Sequence, residues 1–429
     1  MSQLKSTENS ARRILIASLI GTTIEFFDFY IYAMAAVLVF PKLFFPSANA
    51  TVSTLESLAT FALAFFARPL GAALFGHFGD RKGRKATLVA ALMTMGPSTV
   101  AIGLLPGYNS IGIAAPILLA LFRFGQGLGL GGEWGGAVLL ATENAPEGKK
   151  AWYGMFPQLG APIGFLFSTG IFLILSKTMT DMQFFSYGWR IPFIASAILV
   201  WVGMYVRLKL NETPDFVKVI NNNERVKIPI ADVFVRHTKA LVLGTIATIT
   251  TFLLFYLMTV FTLSWGTSAF HYGRTEFLVA QMIATFFLGI GIPLSASLAD
   301  RYGRNNMLLL ATAGIFVFGF LYSPLFSPAS LQVTTVCMVL GMFLMGLTYG
   351  PLGTALAGIF PASVRYTGAS LAFTLAGILG ASLTPLIATS LATKYGLPYV
   401  GYYLSAVAVL TFLALLAARP AMQQHGSKV

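Results

Sequence analysis

Gly76-His-Phe-Gly-Asp80-Arg81-Lys-Gly83-Arg84-Lys85 returns 220 residues later as Ala296-Ser-Leu-Ala-Asp300-Arg301-Tyr-Gly303-Arg304-Asn305. Each copy is a short basic loop between two long apolar runs. A second echo, Pro146-Glu-Gly-Lys-Lys150 against Pro361-Ala-Ser-Val-Arg365, is offset by 215. Two echoes at nearly one offset predict a chain built as two parallel halves.

Working outward, the 429 residues are 56% hydrophobic and only 10% charged, which is not a soluble composition. Twelve apolar segments, from 14–40 to 398–418, are each long enough for a bilayer crossing of about 20 residues. The expected fold is therefore an all-α polytopic membrane protein with twelve transmembrane helices in two pseudo-symmetric six-helix bundles. One stretch breaks the rhythm of short loops: Glu212 to Lys239 carries Asn221, Asn222, Asn223 and charges of both signs. It divides the chain into a first half, 1–211, a central linker, 212–239, with some surface helix, and a second half, 240–429 with a short tail.

The net charge of +13 would suggest a polyanionic partner in a soluble protein, but its distribution argues against nucleic acid. With the N-terminus in the cytoplasm, 21 of the 28 Lys and Arg residues fall on that side, including Arg207 and the linker. Only Lys42, Lys177, Arg190, Arg274 and Lys394 fall outside, and Arg68 and Arg123 are left within the membrane. This is the positive-inside bias, and it places both termini in the cytoplasm. The first apolar run outlasts a signal peptide and contains Glu25 and Asp28, so it reads as a retained first span.

Charges inside a bilayer cost about 2.5–3.5 kcal/mol each even on lenient insertion scales, so each needs a reason to be there. Glu25 and Asp28 stand three apart and share one helical face. Two carboxylates facing a cavity suit proton binding, because burial and mutual repulsion both disfavour the doubly charged state. In the fourth span, Arg123 is accompanied by Gln126 and Glu133, which lie seven apart and about 20° from eclipsed. Seven glycines between 125 and 136 suit close helix packing or a bend. Arg68 precedes Pro69 and suits either substrate contact or hydrogen bonding to backbone freed by the proline. Tyr30, Gln158, Tyr256 and Thr259 are uncharged candidates for the cavity wall. His77 reads as structural, and His271 as part of an outer loop.

At the signature loop, Asp80 sits at the end of a span, where glycines such as Gly76 and Gly83 allow a neighbouring helix close by. Arg81, Arg84 and Lys85 there can reach lipid phosphates or a carboxylate, for which Glu143 is the candidate. Asp300, Arg301, Arg304 and Arg365 hold the corresponding places in the second half. Ala296 and Asn305 depart from the first copy, which sets the second loop apart in its expected role.

A single cysteine, Cys337, excludes an intrachain disulfide or a cysteine metal cluster. Metal-ligand spacings, a nucleophile elbow and a phosphate-binding Gly-Lys-Ser/Thr loop are all missing from the sequence, so no cofactor, metal, enzymatic activity or ATP-driven pumping is expected. A channel or a non-transporting sensor is the remaining rival class.

The signature loop and its second copy resemble those of the major facilitator superfamily. Glu25-Phe-Phe-Asp28-Phe-Tyr30, Phe66-Ala-Arg68-Pro69-Leu-Gly71, Arg123-Phe-Gly-Gln126-Gly127, Gly131-Gly132-Glu133-Trp134, Phe360-Pro361 and Arg365-Tyr-Thr-Gly368 are similar to its metabolite:proton symporter branch. The resemblance implies alternating access in an inner membrane, by a monomer, with protons and a small polar metabolite as partners. It also implies a gate at the signature loop that stabilises the outward-facing state, and a pair between Asp28 and Arg123 that protonation of Asp28 loosens. Arg68 and Arg123 favour an organic acid, such as a dicarboxylate or a shikimate-like acid. Glu25, Asp28 and Glu133 keep a zwitterionic osmolyte, betaine or proline, as the alternative.

Overall fold

The computed structural model describes residues 11–48, 50–209 and 229–426. Within them twelve helices are long and apolar enough to cross a membrane. They are α1 (Arg12–Leu38), α2 (Leu55–Gly79), α3 (Lys85–Leu104), α4 (Ala114–Glu143), α5 (Lys150–Thr178), α6 (Gly188–Leu208), α7 (Thr238–Ser268), α8 (Arg274–Tyr302), α9 (Arg304–Leu325), α10 (Leu331–Ala357), α11 (Arg365–Tyr395) and α12 (Leu397–Pro420). Apolar runs of this length become helices because lipid offers backbone groups no partner other than their own chain.

The main packing pairs of the first half are α1 with α5, α2 with α4, α3 with α6 and α3 with α4; those of the second are α7 with α11, α8 with α10, α9 with α12 and α9 with α10. The two sets are the same under a shift of six helices. The halves meet through α5 against α8 and α2 against α11, again a pair exchanged by the same operation. The first and last residues of each span alternate between two ends of the bundle; the end that bears both signature loops is called the loop end below.

Glycine makes the closest of these contacts possible. A Cβ on Gly131 would lie 2.0 Å from the Arg68 carbonyl oxygen, and one on Gly71 2.0 Å from that of Leu128, so α2 and α4 touch backbone to backbone. Gly291, 220 residues after Gly71, and Gly346, 215 after Gly131, repeat the contact between α8 and α10. The offsets of the loops are thus also the offsets of the packing. Gly131→Val is expected to force α2 from α4 and to lower the melting temperature in detergent by several degrees, since overpacking costs about 1–3 kcal/mol. Gly170→Ala is the control, because its Cβ would meet only Met282, at 3.9 Å.

Both signature loops turn on a glycine in the left-handed region, Gly83 at φ 118° and Gly303 at φ 94°, a conformation that side chains with a Cβ rarely adopt. Of the linker, 210–228 lies outside the described residues. Pro229–Arg236 is a short helix with Val233 buried, lying against α2, α7 and α11.

Candidate functional site

At the middle of the bundle, where the two halves meet, lies a narrow cavity of about 20 Å³, space for about one water. The first half contributes Glu25, Phe26, Tyr30, Arg68, Leu130, Trp134 and Ala161. The second contributes Phe252, Phe255, Tyr256, Met345, Tyr349, Phe373 and Thr374.

Aromatic contacts close the cavity away from the loop end: Tyr30 against Phe255 at 5.7 Å between ring centroids, and Tyr256 against Phe65 at 5.5 Å. Toward the loop end, Trp134 stacks on Phe373 at 3.6 Å, with the rings 7° from parallel. Trp134 Nε1 donates to Gln158 Oε1 at 2.8 Å, and Gln158 Nε2 donates to the Tyr349 carbonyl at 3.0 Å, so Gln158 ties α4 to α10 across the interface. Below it, the Tyr366 hydroxyl donates to the Gly132 carbonyl. α7 and α11 each contain a π-helical turn beyond their cavity-lining residues, Leu257–Phe261 and Ile378–Ser382. Such turns free carbonyls, and Gln281 Nε2 donates to that of Thr259 at 2.5 Å. The Thr259 hydroxyl meanwhile donates within its own helix, to the Phe255 carbonyl at 2.7 Å.

Among the described residues, seven charged side chains are buried in the first half: Glu25, Asp28, Arg68, Arg123, Glu133 and Arg207 within it, and Lys150 at the start of α5. The Arg68 guanidinium carbon lies 4.4 Å from the Phe29 ring centroid and 4.5 Å from that of Phe65. Among the described residues it has no ion-pair partner, and its Nε is buried without a hydrogen bond. The expected bond to backbone freed by Pro69 is not made; Arg68 instead faces the cavity beside Glu25.

The expected direct pair between Asp28 and Arg123 is not made either. Asp28 Oδ1 accepts from the Ser196 hydroxyl of α6 at 2.5 Å, and the Thr99 hydroxyl of α3, which donates to the Met95 carbonyl at 3.1 Å, lies nearby. Gln126 Nε2 donates to Thr99 Oγ1 at 2.7 Å, and Arg123 Nη1 donates to Gln126 Oε1 at 2.9 Å. Thr99 and Gln126 therefore stand between the two charges. The guanidinium carbon of Arg123 lies 3.9 Å from the Tyr32 ring centroid and 4.4 Å from that of Phe29, where ring faces stabilise a desolvated cation. Nor do Glu25 and Asp28 share the cavity: Glu25 lines it, and Asp28 turns into the first half toward α3 and α6.

Glu133 has a partner that sequence reasoning assigned to the membrane surface. Arg207 donates from Nη1 and Nη2 to its two carboxylate oxygens, both at 2.9 Å, and from Nη1 to the Leu88 carbonyl at 2.6 Å. Of the uncharged candidates, Tyr30 and Tyr256 line the cavity, while Gln126 and Gln158 serve as links beside it.

Of the gating candidates, the side chains of Asp80, Arg81 and Arg84 lie outside the described part, and so does the pairing expected with Glu143, the last residue of α4. Gly76 packs against α11, where its Cβ would be 3.1 Å from Thr367 Oγ1. In the second copy, Asp300 accepts hydrogen bonds from the backbone N–H of Ala151 at 2.8 Å and of Trp152 at 2.9 Å. The last turn of α8, a helix of the second half, thus caps the first turn of α5, a helix of the first, and the negative charge of Asp300 complements the helix dipole. Arg304 donates to the Thr354 carbonyl at 3.2 Å, Arg365 to that of Phe360 at 3.3 Å, and Arg301 lies over the Tyr302 ring.

Loss of a carboxylate cap costs about 0.5–2 kcal/mol. Asp300→Ala is accordingly expected to move the population toward a state open at the loop end. Spin labels on Glu147 and Arg301 would read this as a longer distance distribution than in the unsubstituted protein.

A family profile described as "Sugar (and other) transporter" matches residues 14–228. The chain is 56% identical to the inner membrane metabolite transport protein YhjE of Escherichia coli K12, covering 95% of this chain and 94% of that one. It is 36% identical to the shikimate transporter of the same organism, over 90% and 89% of the two chains, and 31% identical to its proline/betaine transporter, over 94% and 82%. The fold is shared with the major facilitator superfamily proton:xylose symporter XylE at a TM-score of 0.75 and 16% identity, over 94% of each chain.

Proposed function

The chain belongs to the transporters of the major facilitator superfamily, and from that premise we propose that it imports a small organic acid together with a proton by alternating access. The observation that carries this reading is Arg68: a cation with no ion-pair partner among the described residues, on the wall of a cavity shared by both halves. A guanidinium fork fits a carboxylate through two parallel hydrogen bonds. Glu25, on the same wall, is the group that takes up the proton, and Tyr30, Tyr256 and Tyr349 offer hydroxyls to a polyol or cyclic acid. Kinship with a shikimate transporter supports this substrate class.

In this account the structure is an occluded state, with its cavity too small for a metabolite until the halves separate at one end. Asp300, Tyr366 and Gln158 keep the loop end shut. The loop end is cytoplasmic, by the distribution of basic residues, and the protein works as a monomer in the inner membrane, in contact with its lipids. Asp28, Thr99, Gln126 and Arg123 support the wall from behind.

The aromatic walls also favour a second reading. Trp134, Phe252, Phe255, Tyr256 and Phe373 beside Glu25 would suit a quaternary ammonium, and Arg68 the carboxylate of the same zwitterion. Uptake into proteoliposomes with an inside-alkaline gradient, comparing succinate, shikimate, glycine betaine and proline, separates the two. Protonophore-sensitive accumulation of an acid is expected. Accumulation of betaine alone would favour the second reading, and no accumulation of any of them by correctly inserted protein would refute proton-coupled import.

A further inference from the structure

The buried charges of the first half lie at successive depths. At 1.5 Å per residue from the loop end, Glu25 stands about 20 Å in and Glu133 about 15 Å. Arg207 belongs to the last turn of α6 and reaches inward to meet Glu133. The Glu25 carboxyl faces that of Glu133 within hydrogen-bonding reach, and its Oε2 is buried without a partner. The other charged or titratable groups facing Glu25 are Arg68 of α2, Arg207 of α6, Tyr30 of its own helix and Tyr349 of α10.

Glu133 and Arg207 do not line the cavity, and among the described residues the hydrogen-bond partners of Arg207, Leu88 and Glu133, belong to the first half. α1 makes room for the guanidinium with a glycine: a Cβ on Gly21 would stand 3.1 Å from Arg207 Nη2. A continuous line of ionisable groups therefore joins the cavity to the loop end inside one half, while a substrate must pass between the two.

Resting on the proton-coupled reading above, we propose that Glu25, Glu133 and Arg207 form a proton route through the first half, separate from the path of the substrate. The proton leaves the Glu25 carboxylic acid for the Glu133 carboxylate, so Glu25 becomes anionic and Glu133 neutral. A neutral acid no longer accepts two charge-assisted hydrogen bonds, and the guanidinium, still protonated, turns on its methylene stem toward water at the loop end. Glu133 then releases its proton to that water, and Arg207 returns to the carboxylate. Glu25 then takes up its next proton from the cavity, so that over the cycle one proton moves from cavity to loop end and every group is restored. A static pair that only fastens α4 to α6 would have the same resting geometry.

The two roles differ in what removing both charges does. Breaking one partner of a buried pair strands the other, whereas replacing both is often tolerated. The test uses full-length protein in proteoliposomes, with shikimate as probe and succinate and glycine betaine in parallel. It compares the unsubstituted protein, Glu25→Gln and the double variant Glu133→Gln/Arg207→Gln, reading accumulation driven by a pH gradient and counterflow, which needs no net proton movement.

The double variant is expected to keep counterflow within about twofold and to lose gradient-driven accumulation at least tenfold, as Glu25→Gln does. A double variant that accumulates normally while Glu25→Gln does not would overturn the route and leave proton-coupled import standing. Loss of counterflow together with accumulation, in monodisperse protein, would also overturn it. An unsubstituted protein whose accumulation ignores a protonophore would overturn both. Arg207→Lys keeps the charge without the fork and is expected to accumulate more slowly at equal counterflow; an unchanged rate would count against the route.

Discussion

Arg68→Ala should weaken the apparent affinity for a carboxylate substrate by about 100-fold or more. Each hydrogen bond to a charged group contributes about 1.5–3 kcal/mol and every 1.4 kcal/mol is tenfold, so loss of a two-bond fork reaches that size even at the low end. Arg68 lies against Phe29 and Phe65, and among the described residues no carboxylate pairs with it, so no ion pair there must be broken before it engages a ligand. Arg68→Lys retains the charge and should recover part of the affinity, because an ammonium cannot present two parallel N–H groups. Equilibrium binding on detergent-solubilised protein reads the effect without transport. An Arg68→Ala protein that binds the acid as tightly as before would remove the guanidinium from the site and with it the main support for an anionic substrate.

Glu25→Gln should uncouple transport without preventing it. A glutamine preserves the size of the side chain on the cavity wall and cannot carry an exchangeable proton through the cycle. If one proton accompanies each substrate, a pH difference of two units can drive about 100-fold accumulation of the neutral pair, since each unit is worth about 1.4 kcal/mol. In the variant that ratio should fall to about one, while counterflow of labelled substrate persists. Undiminished accumulation by Glu25→Gln would transfer the coupling role to another group, Asp28 being the next candidate. Asp28 differs in its surroundings: it is held by Ser196 and stands off the cavity, so its replacement is expected to act on the shape of the wall through Thr99 and Gln126.

The twelve spans and their pairing into halves were legible because lipid leaves backbone so few options. An apolar run long enough to cross must be a helix, and a loop repeated at an offset of 220 implies a repeat of what it joins. The unusual residues were legible for the same reason, since a charge at mid-span is costly enough to stand out. What those charges touch was harder to read. The angular spacing of Glu25 and Asp28 puts them on one face, yet that face is broad enough that one meets the cavity and the other meets α3 and α6. Asp28 and Arg123 belong to neighbouring helices at similar depth, and only the rotation of each helix reveals Thr99 and Gln126 between them.

Arg207 was misread because it closes an apolar run just before Lys209, as anchors at a membrane surface do. Its long stem turns back to Glu133. Seen from the sequence, the unpaired Glu133 was the available signal that a cation was missing. Trp134, Tyr349 and Phe373 could not be told from ordinary aromatic residues of a membrane core, and the π-helical turns of α7 and α11 leave no mark in composition.

Proton coupling of an organic acid can be read from the pH inside proteoliposomes that begin with no gradient of any kind. With a pH-sensitive dye trapped inside and the membrane potential clamped by potassium and valinomycin, shikimate or succinate is added outside at constant pH. Acidification of the interior that depends on the protein, saturates with the acid and is absent with Glu25→Gln is the expected result. Entry of the labelled acid with no change in interior pH would rule out proton-coupled import.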